Sequence, residues 1–108
     1  MSGLTEQDCD EALEFLENTC VHIAAAKAEL ERSEILRKRV RKKWFMHFDG
    51  NNSEREAQVE GVKEVHDADD RYVAAVAAFE SLRAKRELRV IQTEVYRTQE
   101  ASRRQVRP

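Results

Sequence analysis

The sequence predicts an all-α protein, an antiparallel hairpin of two long helices at about residues 5–47 and 53–103. Three observations support this fold. The 108 residues include one Pro, which is the last residue, and three Gly, so almost nothing breaks a helix. Apolar residues recur at helical spacing, and no run alternates with the period of two that is typical of strands. Acidic and basic blocks alternate along the chain in an order that suits antiparallel pairing.

The first helix is predicted to begin after Thr5, with Asp8 completing a capping box. Apolar residues then follow at heptad spacing, which favours coiled-coil packing. They are Cys9, Leu13, Leu16, Cys20, Ile23 and Leu30. Farther along, the apolar stripe moves to Leu36, Val40, Trp44 and Phe48. Cys9 and Cys20 would lie about 16 Å apart along this helix, too far for a disulfide. Both are expected to be reduced, buried thiols.

The segment Asp49-Gly50-Asn51 predicts a tight turn, because these residues favour left-handed backbone conformations. Ser53 is expected to cap the second helix, with Glu56 three residues later. Apolar residues of that helix first follow one stripe, which ends at Leu82, and then shift to a second one. The second stripe consists of Ala84, Leu88, Ile91 and Val95. The whole chain, 1–108, is predicted to be one domain, with residues 104–108 forming a frayed basic tail.

Charge and hydrophobicity agree on the register of the hairpin. If the chain reverses near Asn51, residues whose numbers add to about 102 face each other. The first 34 residues carry nine acidic and two basic side chains, whereas the residues from 71 onward carry nine basic and four acidic ones. Likewise, the basic run 37–43 would face Glu60, Glu64 and Asp67. Such agreement between two independent patterns supports the fold.

A two-helix hairpin encloses little core. The second apolar stripe has little of the first helix to cover it. We therefore expect Leu88, Ile91 and Val95 to form an interface, through which the chain dimerises into a four-helix bundle or coiled coil.

Two basic segments are candidate binding sites. The first, called here the basic collar, comprises Arg37, Lys38, Arg39, Arg41, Lys42 and Lys43, followed by Trp44. The second comprises Arg103, Arg104 and Arg107. These cations could bind phosphates while an aromatic ring stacks on a base, or they could bind an acidic protein. The alternative is that the collar pairs with the facing carboxylates and only closes the end of the hairpin. A long apolar face for membrane binding is missing.

Nothing in the sequence indicates an enzyme. No Gly-rich phosphate loop or nucleophile motif is present, and the carboxylates lie on solvent faces of helices. Cys20 and His22 lie too close in sequence to supply two good ligands on one helical face, so no metal and no cofactor is expected. A signal peptide and an apolar run of the ~18 residues needed to span a membrane are both missing. The sequence therefore predicts a cytoplasmic protein.

Residues 64–104 resemble the second helix of small helical proteins of tailed bacteriophages and prophages. In those proteins an acidic stretch leads into Leu-Arg-x-x-Arg and then Arg-Thr-Gln-x-Ala-x-x-Arg. The matching residues here are Leu82, Arg83, Arg86, Glu94, Arg97, Thr98, Gln99, Ala101 and Arg104, with Tyr96 in place of the usual Trp. The resemblance implies a non-enzymatic interaction module, accessory to DNA recombination or replication proteins, whose collar contacts nucleic acid. An inhibitor or adaptor of a host enzyme is the alternative.

The chain is also similar in length and in its single turn to the WXG100-type secreted hairpins, and Tyr96-x-x-x-Glu100 looks like their C-terminal pattern. However, Trp44-Phe45-Met46 is not a Trp-x-Gly motif, and Gly50 lies six residues after Trp44. This departure from the pattern leaves the WXG100-like hairpin as a further alternative. The partners expected from the sequence are thus a second copy of the chain, another protein and nucleic acid.

Overall fold

The computed structural model describes residues 3–106, and these form helices without any strand. The helices are α1 (Glu6–Asn18), α2 (Cys20–His47), α3 (Asn52–Val59) and α4 (Lys63–Val106). The predicted all-α class is therefore confirmed. None of these helices combines the length and the apolar character needed to cross a membrane.

The helices contribute to two compact units. The first, called here the terminal unit, contains the residues up to Ala24 and those from Glu80 onward. The second, the turn unit, spans Ala25–Phe79. Helices α2 and α4 each supply residues to both units.

Helix α1 begins as the sequence predicts. The hydroxyl of Thr5 accepts a hydrogen bond from the Asp8 amide at 3.1 Å, and the Asp8 carboxylate accepts one from the Thr5 amide at 2.9 Å. These two reciprocal bonds satisfy backbone donors that the first turn of a helix leaves unpaired. The hydrogen bonds also hold the pKa of Asp8 below its ordinary value, because they favour the ionised carboxylate.

The predicted continuous helix 5–47 is wrong at Thr19, which separates α1 from α2 with φ −101° and ψ 1°. The hydroxyl of Thr19 donates to the Phe15 carbonyl at 2.7 Å. The Leu16 carbonyl, the usual acceptor for the Cys20 amide in an unbroken helix, accepts from the Arg86 guanidinium at 2.7 Å instead. A side chain inserted into the helical ladder and a Thr bonded to the preceding turn both bend helices. Arg86 and Thr19 together account for the break.

The turn after α2 occurs at the predicted place but has a different cap. Gly50 has φ 119°, a conformation that glycine adopts without steric cost. The side chain of Asn51, not that of Ser53, caps α3 by accepting from the Glu54 amide at 2.9 Å. Ser53 lies inside α3, so the predicted helix start at residue 53 is corrected to Asn52.

The predicted helix 53–103 is also interrupted. Between α3 and α4, the amides of Gly61 and Val62 bond to the carbonyls of Gln58 and Val59, three residues back. Glycine has low helix propensity, and this tighter turn redirects the chain. The redirection brings both Val59 and Val62 against one apolar cluster. Helix α4 then continues to Val106, so residues 104–106, expected to fray, are helical and exposed.

The core of the turn unit is a small apolar cluster near the turn. Val40, Val59, Val65 and Ala68 are buried, and Val65 is completely inaccessible. Five partly buried residues pack around them: Leu36, Trp44, Phe45, Phe48 and Val62. All three helical segments of this unit contribute to the cluster, which therefore holds them together.

The buried residues of the terminal unit are fewer and smaller. They include Cys9 and Ala12 from α1 and Thr93 from α4. The buried Thr93 hydroxyl has a hydrogen-bond partner, because it donates to the Val90 carbonyl at 2.7 Å. Cys20 is exposed, contrary to the expected burial of both thiols, because the less exposed positions are Leu16, Thr19 and Ile23, so that Thr19 and not Cys20 lies on the inward face.

Candidate functional site

Most of the basic collar is paired with carboxylates. Arg37 forms an ion pair with Asp69 at 3.1 Å, Arg41 pairs with both Glu60 and Asp69, and Lys43 pairs with Glu64 at 3.0 Å. Lys38 pairs with Glu34 on the preceding turn of its own helix. Four of the six collar cations therefore have a negative partner inside the turn unit, which lowers the charge available to an external phosphate.

Arg41 is the centre of this network. Its two terminal nitrogens bond separately to Glu60 at 2.6 Å and to Asp69 at 2.5 Å. Hydrogen bonds to Glu60 and, to a smaller extent, to Asp69 raise the pKa of Arg41 above its ordinary value. The Arg41 side chain is 32% exposed and that of Asp69 27%, so the pair is better shielded from water than a surface ion pair. The ion pair between Arg41 and Asp69 joins α2 to α4.

The sequence predicted Asp67 as a partner of the collar, and this is wrong, because Asp69 takes that place. In α4, Asp69 lies one helical turn after the buried Val65, on the same face. Asp67 is two residues from Val65 and therefore projects to the other side, where it is exposed. The spacing within α4 accounts for the difference, because Asp69 continues the face that carries Val65 and Tyr72, whereas Asp67 does not.

Trp44 is engaged inside the turn unit. Its indole Nε1 donates to the Glu64 carboxylate at 2.8 Å, and the Lys43 ammonium lies 5.1 Å from its ring centroid. The hydrogen bonds of Lys43 and of Trp44 lower the pKa of Glu64 below its ordinary 4.5. Trp44 also packs against the apolar cluster. Trp44 therefore contributes to the packing of the turn unit, and its stacking on a base stays a prediction.

Arg39 and Lys42 are the collar cations that form no ion pair within residues 3–106. Both are exposed. In the second basic segment, Arg103 pairs with Glu100 at 2.6 Å, and Arg104 is exposed. Arg107 lies outside the described residues.

Lys42 borders an open groove between α2 and α3. The groove has a volume of about 650 Å³, with Phe45 and Val59 among its lining residues and Lys42 and Glu56 contributing charges of both signs. The guanidinium of Arg55 lies 5.4 Å from the Phe45 ring centroid. No sequence pattern indicated this groove, because it exists only where the turn places α3 beside α2.

The predicted interface residues lie on the surface of the terminal unit. Leu88 is 55% exposed, Ile91 54% and Val95 40%. They are spaced by three and four residues on α4, so they form one continuous line, called here the apolar strip. Thr93, two residues from Ile91 and from Val95, is only 5% exposed and marks the buried side of the same helix. In this region helix α4 therefore has a buried face, which includes Thr93, and an opposite face, which carries the apolar strip and is exposed to solvent.

A second groove adjoins the apolar strip. Its volume is about 450 Å³, and it is lined by Leu16 and Ile23 from the first part of the chain and by Val90 and Ile91 from α4. Arg83, Arg86 and Glu87 complete its wall. The strip and this groove together form a largely apolar surface that the sequence indicated through its second stripe.

Hydrogen bonds across the terminal unit come mainly from polar side chains. Arg86 bonds to the Leu16 carbonyl and to the Thr19 hydroxyl, and the Leu4 amide donates to the Gln99 side chain at 3.1 Å. The Arg89 guanidinium lies 5.3 Å from the centroid of the Phe15 ring. Among the described residues, no group of three His, Cys, Asp or Glu side chains could hold a metal ion.

Comparison with known proteins adds no family assignment: no protein-family model, no curated protein and no solved structure matches this chain. The resemblance to phage proteins stays a prediction.

Proposed function

We propose that this chain is a non-enzymatic protein-interaction module that binds helices through the apolar strip of α4. The observation that carries the proposal is the exposure of Leu88, Ile91 and Val95, which form one line on the face opposite Thr93. A contiguous exposed apolar surface bordered by charged residues is typical of protein–protein interaction sites. Helical spacing of the anchors suits a partner that is itself a helix.

The module is proposed to be an antiparallel helical hairpin. The sharp turn at Gly50 supports this arrangement. So does the pairing inside the turn unit, where Lys43 bonds to Glu64 and Glu29 bonds to Arg71, since residue numbers rise along one helix as they fall along the other. A hairpin of two helices would cover its apolar strip by joining a four-helix bundle or a coiled coil.

Nucleic-acid binding is the second candidate function, supported by the exposed cations Arg39, Lys42 and Arg104. It is favoured less than protein binding for two reasons. Four collar cations already have carboxylate partners, and Trp44 is bonded to Glu64. The acidic residues of α1 and α3 would also repel a phosphate backbone.

The resemblance of residues 64–104 to phage helical proteins supports a partner among proteins of DNA recombination or replication. A host enzyme that the module inhibits or recruits is the alternative partner. Both partners would be bound through the same apolar strip.

Replacing Ile91 by Glu tests the proposal, because it places a charge at the centre of the apolar strip. Val21→Glu is the matched control, since Val21 is 78% exposed and lies off the strip. We expect Ile91→Glu, and not Val21→Glu, to reduce association with the chain itself and capture of proteins from a nuclease-treated extract of the native host. Light scattering would measure self-association, and a pull-down would measure the capture of other proteins. Equal association by all three chains would refute the proposal.

Binding to short DNA at low salt tests the second candidate. A DNA-binding chain should lose affinity steeply as salt increases, and replacing Arg39 and Lys42 by Glu should weaken binding to every sequence. Absence of binding at low salt would exclude this candidate. The control is Lys27→Glu together with Lys63→Glu, which changes the net charge by the same amount at exposed sites outside the collar.

A further inference from the structure

The apolar strip belongs to a longer heptad pattern on the exposed face of α4. Its core positions, at alternating steps of three and four, are Ser81, Ala84, Leu88, Ile91, Val95 and Thr98. All six are exposed. The pattern spans about 25 Å of helix at 1.5 Å per residue. The most apolar members occupy the middle and the small polar ones the ends, as expected of a short coiled-coil interface.

The residues that flank this core carry a regular charge pattern. On one side, at the positions preceding Ser81, Leu88 and Val95, lie three carboxylates: Glu80, Glu87 and Glu94. Arg83 of the same helix pairs with Glu80 at 2.6 Å and with Glu87 at 3.9 Å, whereas Glu94 forms no ion pair within residues 3–106. On the other side, following Ala84, Ile91 and Thr98, lie Lys85, Gln92 and Gln99. Flanking residues of this kind determine the partner and the orientation of paired helices.

An antiparallel pair of these helices would place like charges together. In that orientation each flanking row faces the same row of the other copy. The best core register sets Leu88 opposite Ile91, and it brings Glu87 of each copy beside Glu94 of the other. Shifting the register by one heptad sets Glu94 against itself or Glu87 against itself. Every antiparallel heptad register therefore brings carboxylates together, which is destabilising.

A parallel pair avoids this repulsion. The acidic row of each copy then faces the row of Lys85, Gln92 and Gln99 on the other copy. Each carboxylate lies beside the residue whose number is five higher. Glu80 lies beside Lys85, Glu87 beside Gln92, and Glu94 beside Gln99. One pair attracts, two are neutral, and each occurs twice because the dimer is symmetric. In the core, Leu88, Ile91 and Val95 each pack against the same residue of the other copy.

From this charge pattern we infer that the apolar strip binds a second copy of the chain, with the two α4 helices parallel and in register. The inference rests on the proposed function, since it names the partner of the same surface. Charge complementarity between the two flanking rows favours this occupant.

Disulfide trapping at position 95 tests the orientation. In a parallel, in-register pair, Val95→Cys faces itself and should form a covalent dimer under mild oxidation. In the best antiparallel register, position 95 faces position 84, and the two copies of position 95 lie about 16 Å apart, beyond the roughly 7 Å limit of a disulfide. The background should be Cys20→Ser, because Cys20 is the exposed native thiol, whereas Cys9 is buried.

The matched control is Arg97→Cys, also exposed on α4 but two residues along, on the side away from the core positions. We expect Val95→Cys to give mostly covalent dimer and Arg97→Cys to give little. A mixture of Ala84→Cys and Val95→Cys chains that yields mainly the mixed disulfide, with Val95→Cys alone remaining reduced, would show antiparallel pairing. That result overturns the inference and leaves the proposed function standing.

A charge change at Gln92 provides a second test, in which the two orientations predict opposite signs. In the parallel pair, Gln92→Glu faces Glu87 and should weaken the dimer, whereas Gln92→Lys should strengthen it. The antiparallel pair predicts the reverse, because Gln92 then faces Lys85. Each change should alter the dissociation constant by about two- to fivefold at low salt, as measured by sedimentation.

The two tests also separate this inference from the proposed function. A chain that remains monomeric, with Val95→Cys reduced, overturns self-pairing. If such a chain still captures another protein and Ile91→Glu abolishes that capture, the apolar strip binds a different partner and the proposed function survives. If Ile91→Glu changes neither association nor capture, both fail.

Discussion

The turn unit and the terminal unit satisfy their apolar and charged groups in different ways. The turn unit buries Val40, Val59 and Val65 in one cluster and joins its helices with ion pairs around Arg41. The terminal unit buries mainly small side chains, such as Ala12, and relies on the polar contacts of Arg86. It leaves the apolar strip uncovered.

This difference supports the proposal that the terminal unit, rather than the turn unit, binds a partner. Burial of apolar surface is the dominant stabilising contribution to folding, and charged side chains that already have partners offer little to a ligand. In the turn unit, apolar side chains pack against each other and charged side chains form ion pairs with each other. The terminal unit retains exposed apolar side chains, and removing them from water would lower the free energy. A partner is therefore expected on the terminal unit.

The largest expected effect is a buried charge in the turn unit. Val65 is completely buried, so Val65→Asp would place a carboxylate where water does not reach it. We expect the free energy of unfolding to fall by about 3 kcal/mol or more, as measured by thermal and urea denaturation. Val73→Asp, on the same helix at a 64% exposed site, is the control and should change stability by about 0.5 kcal/mol at most. Similar losses for both variants would contradict the assigned core.

An intermediate effect is expected from Arg86 in the terminal unit. Arg86→Gln removes the hydrogen bonds to the Leu16 carbonyl and the Thr19 hydroxyl. We expect a loss of about 1–3 kcal/mol, because charged hydrogen bonds to partly buried acceptors are lost. Hydrogen exchange should show faster opening of the amides around Thr19. The control is Arg83→Gln, which removes only ion pairs within α4 and should change stability by about 0.5 kcal/mol or less.

The smallest effect concerns pH and the exposed carboxylates of the turn unit. Bonds to Lys43 and Trp44 lower the pKa of Glu64, and bonds to Arg71 lower that of Glu29, both from an ordinary 4.5. A carboxylate whose pKa is lower in the folded state stabilises the fold above pH 4.5 and loses that contribution as the pH falls through the lowered value. The melting temperature should therefore decrease below about pH 4.5.

Glu64→Gln removes one of these two contributions. Its melting temperature should be lower than that of the unmodified chain at neutral pH and should approach it in acid. Glu31→Gln, at an exposed site of α2, is the control. A constant difference between Glu64→Gln and the unmodified chain from pH 7 to pH 3 would mean that the Lys43 and Trp44 bonds do not favour the ionised Glu64.

Local features were predictable because they depend on neighbouring residues. Thr5 and Asp8 are three residues apart and form the expected capping box. Gly50 adopts the positive φ that its turn requires. The uncovered position of Leu88 could also be inferred, because the second stripe is offset from the first along the same helix. Each inference needed only helical geometry.

Features that depend on distant contacts were not predictable. Arg86 interrupts the helix at Thr19 across 67 residues of sequence, and nothing around Thr19 indicates that partner. The short turn near Gly61 divides the predicted second helix into α3 and α4. A single glycine inside a helical pattern is a weak signal for such a turn.

The sequence by itself determined the helical class, the position of the sharp turn and the presence of an apolar line on α4. These follow from propensity and periodicity, which act over a few residues. Only the tertiary structure decided which collar cations are neutralised and how α1 and α2 are separated at Thr19. The physical reason is that ion pairing and burial depend on side chains from another helix, whose phase is set by packing.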